Sequence, residues 1–102
     1  MGMKATLVKT TIVTESLLVD KIVELIRKHG ATGHTLTKVE GEGSRGVRAS
    51  DWEGRNVKIE TLVAQDTADA ILEDLNDRYF EDYAVIVWLS EVTVLRGEKF
   101  AG

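Results

Sequence analysis

The chain has 102 residues, 43% of them apolar and 29% charged, with a formal net charge of −4 and a pI near 5.1. That suits one domain, 1–102, with its own core, and an acidic balance argues against general nucleic-acid binding, which needs a basic face. There is no cysteine and there are only two histidines, His29 and His34; this excludes disulfides and thiolate metal sites and makes structural zinc a poor fit.

Residues 4–13 read as a strand: Leu7, Val8, Ile12 and Val13 are apolar, and Thr6, Thr10 and Thr11 are β-branched. Thr14 then offers an N-cap and Glu15 a favourable charge in a first helical turn. Leu18, Ile22, Leu25 and Ile26 recur at helical spacing, widened by Val19 and Val23. Arg27, Lys28 and His29 crowd the last turn, and Gly30 is a natural stop. The expectation is a helix over 15–29. Residues 33–40 read as a second strand, carried by Thr35, Leu36, Thr37 and Val39.

A stretch without periodicity follows, from Gly41 to Arg55. At about 15 residues it is long for a compact domain, and such loops tend to be functional or disordered. Its front half is Gly41-Glu42-Gly43-Ser44-Arg45-Gly46-Val47-Arg48. Glycines let the backbone approach a ligand. Backbone N–H groups, the Ser44 hydroxyl and the guanidinium forks of Arg45 and Arg48 are what a phosphate requires. The loop is therefore expected to close over a phosphorylated small molecule, an adenine nucleotide first among them. Gly41, Gly43 and Gly46 also match G-x-G-x-x-G literally. That fingerprint needs a helix opening at the glycines inside a parallel unit; nothing after Gly46 has a helical period, so a Rossmann site is rejected. Trp52 is a large apolar group near the loop tip and suits an anchor on a partner.

A third strand is expected over 56–64, with Val57, Ile59, Thr61 and Val63 alternating against Lys58 and Glu60; Leu62 breaks the polar side. Asp66 is placed as the cap of a second helix, whose apolar face is Ala68, Ile71, Leu72, Leu75 and Tyr79. Asp69, Glu73, Asp74 and Asp77 lie mostly off that stripe and are read as a solvated acidic face rather than a metal site. A last strand is expected over 83–95, apolar on both sides between Ala84 and Leu89.

The order strand, helix, strand, strand, helix, strand is the ferredoxin-like split βαβ, an α+β fold with a four-stranded antiparallel sheet and both helices on one face. Leu36, Leu62 and Trp88 leave the other face without an obvious polar side, so a second copy of the chain is the simplest cover.

This order, the long loop, its G-x-G-S-R-x-V-R core, the segments Asn56-Val57-Lys58-Ile59-Glu60 and Tyr79-Phe80-Glu81-Asp82-Tyr83, and Ser90-Glu91-Val92 leading to Leu95 resemble the PII signalling superfamily. Within it, the chain most resembles SbtB-type regulators of inorganic-carbon uptake. The resemblance implies a homotrimer, with adenine nucleotides (cAMP, AMP, ADP or ATP, and cyclic di-AMP in some relatives) held in clefts between subunits. The loop over about 41–55 would be the family's T-loop. Carried over by position, Ser44, Arg45 and Arg48 would hold phosphate, with Gly41 and Gly43 at the loop base and Gly46 in the same nucleotide-binding set; Thr35 would lie near the ribose or base, and the backbone near Leu89 would meet the adenine. The implied partner is SbtA, a sodium-dependent bicarbonate transporter, engaged through Arg48 and Trp52.

Departures from the pattern also carry expectations. Glu42 stands where relatives are often basic, which makes Mg²⁺ or Ca²⁺ with ATP worth testing. The absence of cysteine leaves no basis for the redox-controlled loop of some relatives. The loop has no tyrosine for uridylylation, and only Arg96 remains of an arginine pair near the end of the last strand. No apolar run approaches the roughly 18 residues of a spanning helix, and Met1-Gly2-Met3-Lys4 does not start a signal peptide. The expected location is the cytoplasm, at the membrane only through the transporter. No catalytic residues are assigned, although weak nucleotide hydrolysis stays open. The alternative readings are a small oligomeric ferredoxin-like enzyme and a divalent-cation-tolerance-type protein.

Overall fold

The computed structural model describes residues 3–40 and 56–95. Strand β1 (Lys4–Glu15) is followed by a single 3₁₀ turn (Ser16–Leu18) and helix α1 (Val19–Lys28); then come β2 (Thr35–Val39), β3 (Asn56–Val63), helix α2 (Gln65–Arg78) and β4 (Ile86–Leu95). The sheet order is β2-β3-β1-β4, antiparallel at each pairing. This is the expected ferredoxin-like fold.

Directly opposed residues in an antiparallel pair share a face, so the register sorts the side chains. Ile12 opposes Ile59 and Val87, and Ile59 opposes Leu36. Ile12 and Ile59 are fully buried and pack in one core with Ile22, Ile26, Ile71 and Leu75 from the helices. The other face carries Thr35, Glu60, Thr11 and Trp88 in one row across the sheet. Ile86 and Trp88 on this face are 57% and 44% exposed. The expectation of an apolar second face holds for these two residues. Leu36 does not belong to it: it lies on the helix-side row, exposed because β2 is an edge strand.

Several boundaries differ from the sequence expectation. Thr14 is not an N-cap. It is the buried partner of Val57 in β1, and its hydroxyl donates to the Glu15 carbonyl. Glu15 pairs with Asn56, and its carboxylate accepts the Ala84 backbone N–H at 2.8 Å. Sheet pairing thus outcompetes the local helix-start signal, and regular α-helix begins only at Val19. Likewise β2 begins at Thr35. The last strand does not include Tyr83 to Val85. There the Tyr83 N–H donates to the Tyr79 carbonyl and the Val85 N–H to that of Tyr83, while Glu15 takes the N–H between them. These donors are spent on a turn, and the ladder starts at Ile86. Helix α2 starts at Gln65 without a side-chain cap, and Asp66 sits in its first turn.

Asp74 departs from the reading of a solvated acidic face. Its side chain is 15% exposed. His29 Nε2 lies 2.7 Å from its Oδ2, Arg78 Nε donates to its Oδ1 at 2.6 Å, and Lys28 Nζ is 3.6 Å away. The hydrogen bond with His29, with the Arg78 bond and charge behind it, outweighs desolvation and lowers the carboxyl from 3.8 to about 2. A carboxylate depressed on folding stabilises the fold above its unfolded pKa, and that contribution is lost as pH falls through the folded value. Asp74→Asn is therefore expected to cost about 1–2 kcal/mol near neutral pH, after allowance for solvent screening. It should also flatten the loss of stability between about pH 4 and pH 2. Urea melts across that range check both; an unchanged acid limb would contradict the account.

Candidate functional site

The site is built where the chain leaves α1 and enters β2. Gly30 takes φ +111°, a left-handed conformation that costs glycine nothing. Its N–H donates to the Arg27 carbonyl, and the Ala31 N–H donates to that of Ile26, both at 3.0 Å. This is a Schellman ending, completed by the burial of Ala31 in the core that also holds Ile26. It turns the chain back onto the sheet. The Thr61 hydroxyl then donates to the Gly33 carbonyl at 2.6 Å. Gly33 is thereby tied to β3, and His34 and Thr35 follow in a set position.

Beside this tie lies a hollow of about 470 Å³, lined by Gly33, His34, Thr35, Lys9, Glu60, Thr61 and Leu62. Thr35 opposes Glu60, and Lys9 opposes Leu62. Lys9 Nζ is 3.5 Å from Glu60 Oε2, and the two side chains are 38% and 25% exposed. The wall therefore combines a hydroxyl, a carboxylate, an ammonium and an aliphatic side chain, all reachable from water. Such a surface can hold a polar organic ligand with one apolar portion. Among the described residues, no group of three or more His, Cys, Asp or Glu side chains could hold a metal ion.

Of the residues singled out from the sequence, Thr35 lines this hollow. Leu89 does not. It lies on β4, at the opposite edge of the sheet, with its side chain packed against the core. Only its backbone is left to meet a ligand. Three strand spacings, about 14 Å, separate the two edges. Gly41, Gly43, Ser44, Arg45, Gly46, Arg48 and Trp52, and with them the T-loop over 41–55, lie outside the described residues.

Sequence reasoning missed Lys9, His34, Glu60 and Leu62 as lining groups. The alternation in β3 already put Glu60 and Leu62 on the side away from the core. What it could not supply was the cross-strand register that sets them beside Thr35 and Lys9.

Among the described residues, no helix is long and apolar enough to cross a membrane. The fold matches solved structures along nearly its whole length. A protein of Thermus thermophilus assigned to the PII-like signalling class is 47% identical, with a TM-score of 0.84 over 96% of this chain and 98% of that one. CPII from Thiomonas intermedia K12, a nitrogen regulatory PII-like protein bound to ADP, AMP and bicarbonate, superposes with a TM-score of 0.84 at 21% identity, covering both chains completely. GlnK of B. subtilis, in its ATP complex, matches at 0.56 and 21% identity over 83% of this chain and 82% of that one. The family model for nitrogen regulatory protein P-II matches residues 7–99. On that span, and with this sheet and helix order, the chain belongs to the P-II family.

Proposed function

We propose that this protein is a PII-like signalling protein that binds adenine nucleotides between subunits of a homotrimer and passes their state to a partner through the loop over 41–55. The observation that carries the reading is the separation of the two positions that the resemblance assigns to the adenosine. Thr35 and Leu89 lie at opposite edges of one sheet, about 14 Å apart, too far to flank the same adenosine within one chain. A second copy that brings its β4 edge to the first copy's β2 edge supplies both. The exposed Ile86 and Trp88 give such copies an apolar surface to bury.

Family membership supports the signalling class, and the described ligands of relatives, ADP, AMP and ATP, support the ligand class. In this reading Ser44, Arg45 and Arg48 hold the phosphates, with Gly41, Gly43 and Gly46 completing the nucleotide-binding set. A nucleotide that draws the two arginines inward biases the loop between a free and a partner-binding shape. Arg48 and Trp52 then contact the partner, for which the SbtB-type resemblance names the bicarbonate transporter SbtA. The protein would work in the cytoplasm and reach the membrane through that transporter. Cyclic AMP joins the ligand set on the same resemblance, and Mg²⁺ or Ca²⁺ accompanies ATP beside Glu42.

Isothermal titration with AMP, ADP, cyclic AMP and ATP, the last with and without Mg²⁺ or Ca²⁺, tests the reading. Micromolar binding with a hierarchy among the ligands is expected. Failure of every adenine nucleotide to bind would overturn it.

A further inference from the structure

We propose that the segment Tyr83 to Val85 is a two-state strand end: the Glu15 carboxylate holds it as a turn, and without that contact it joins β1 and extends β4 to 83–95. The register leaves room for the second state. β1 and β4 pair one for one from Lys4 with Leu95 to Val13 with Ile86. Carried two residues further, the same register sets Thr14 opposite Val85 and Glu15 opposite Ala84. β1 does continue through Glu15, where it pairs with Asn56 of β3 on its other side. Among the described residues, no strand lies on its β4 side at these two positions. The Ala84 N–H donates instead to the Glu15 carboxylate at 2.8 Å. Residues that the ladder would join through backbone thus meet through a side chain.

The side chains already suit the strand. Successive residues of a strand point to opposite faces. Val87 and Leu89 of β4 pack against the core, and so do Tyr83 and Val85. Ile86 and Trp88, between them, are exposed on the other face. A period of two therefore runs unbroken from Tyr83 to Leu89, and the change of state re-routes hydrogen bonds without turning an apolar side chain from the core to water. What holds the turn is local: the bonds from Tyr83 N–H to the Tyr79 carbonyl and from Val85 N–H to that of Tyr83, and the edge-to-face contact of the two tyrosine rings, 5.9 Å between centroids. The bond to Glu15 is the one made to a charged group. Once it is gone, the Ala84 N–H needs another acceptor, and the strand supplies one. β4 is an edge strand, so the change also lengthens the row of unpaired backbone groups at that edge.

The test is nuclear magnetic resonance of the full chain, read as the Cα and Cβ secondary shifts of residues 83–85 and as contacts of Ala84 and Val85 with positions 15 and 14. The native protein should show strand shifts beginning at Ile86. In Glu15→Ala they should begin at Tyr83, with cross-strand contacts between Thr14 and Val85. Glu15→Gln keeps an acceptor oxygen at the same reach and should keep the native turn. Glu15→Asp keeps the charge on a side chain one methylene shorter and should go over to the strand; it also stands in if the alanine variant melts early. The spectra are taken without nucleotide, so their outcome is independent of the functional reading above.

A Glu15→Ala protein that keeps the native shifts at 83–85 overturns the proposal. So does one in which these residues move to random-coil values and the Ala84 amide exchanges about tenfold or more faster, for Glu15 would then brace a turn that has a single folded state. Strand shifts at 83–85 in the native protein overturn it as well.

Discussion

Trp88→Glu is expected to turn the assembled protein into monomers and to abolish adenine-nucleotide binding, with the far-ultraviolet circular dichroism of the fold retained. Trp88 stands on the face away from the helices, 44% exposed, beside Ile86 at 57%. Burying the remaining indole surface, about 100 Å², contributes about 2–3 kcal/mol for each copy. A glutamate there removes that term and adds a buried charge without a partner, which costs several kcal/mol more by order of magnitude. The same residue costs little in the isolated chain, because its side chain faces water and Ile12, Ile59 and Leu75 hold the core without it. Thr11, opposite Trp88 and 1% exposed, has a buried hydroxyl with no hydrogen-bond partner among the described residues. Trp88→Thr is thus a milder companion that tests the apolar area without a new charge. Size-exclusion chromatography with light scattering reads the outcome. A Trp88→Glu protein that stays assembled and binds nucleotide would remove this face from the interface.

The second large effect concerns phosphate. Arg45→Ala and Arg48→Ala should each weaken ADP binding by about ten- to a hundredfold, since a charge-assisted hydrogen bond contributes about 1.5–3 kcal/mol. Adenosine, which has no phosphate, should bind the native protein and both variants alike. Arginine-to-lysine changes should recover only part of the loss, because an ammonium keeps the charge but not the two-pronged geometry. Unchanged ADP affinity in either alanine variant would remove that residue from the phosphate site. An equal loss for adenosine would show that the residue supports the loop rather than the phosphate.

The fold was legible because its signals agree at every level. The apolar stripes of α1 and α2 and the alternation in β3 each point to the same core. The errors fall where a distant partner decides. Thr14 and Glu15 look like a helix start, yet Val57, Asn56 and the Ala84 N–H recruit them to the sheet. Asp74 looks like one of several solvated acids, yet it meets cations from both helices, and only the packing of α1 on α2 reveals that. Leu36 looks like a second-face residue until its register with Ile59 is known.

The site divides the same way. Thr35, which the resemblance puts near the ribose or base, lines the hollow. Lys9 on β1 and Glu60 and Leu62 on β3 come beside Thr35 on β2 only through sheet pairing.

The most direct test of the central claim is sedimentation of the purified protein with ADP, followed at 260 nm for the nucleotide and at 280 nm for the tryptophans. The account predicts that ADP travels only with a species of three times the 11.3 kDa chain mass. ADP travelling with a single 11.3 kDa chain would contradict a ligand shared between subunits.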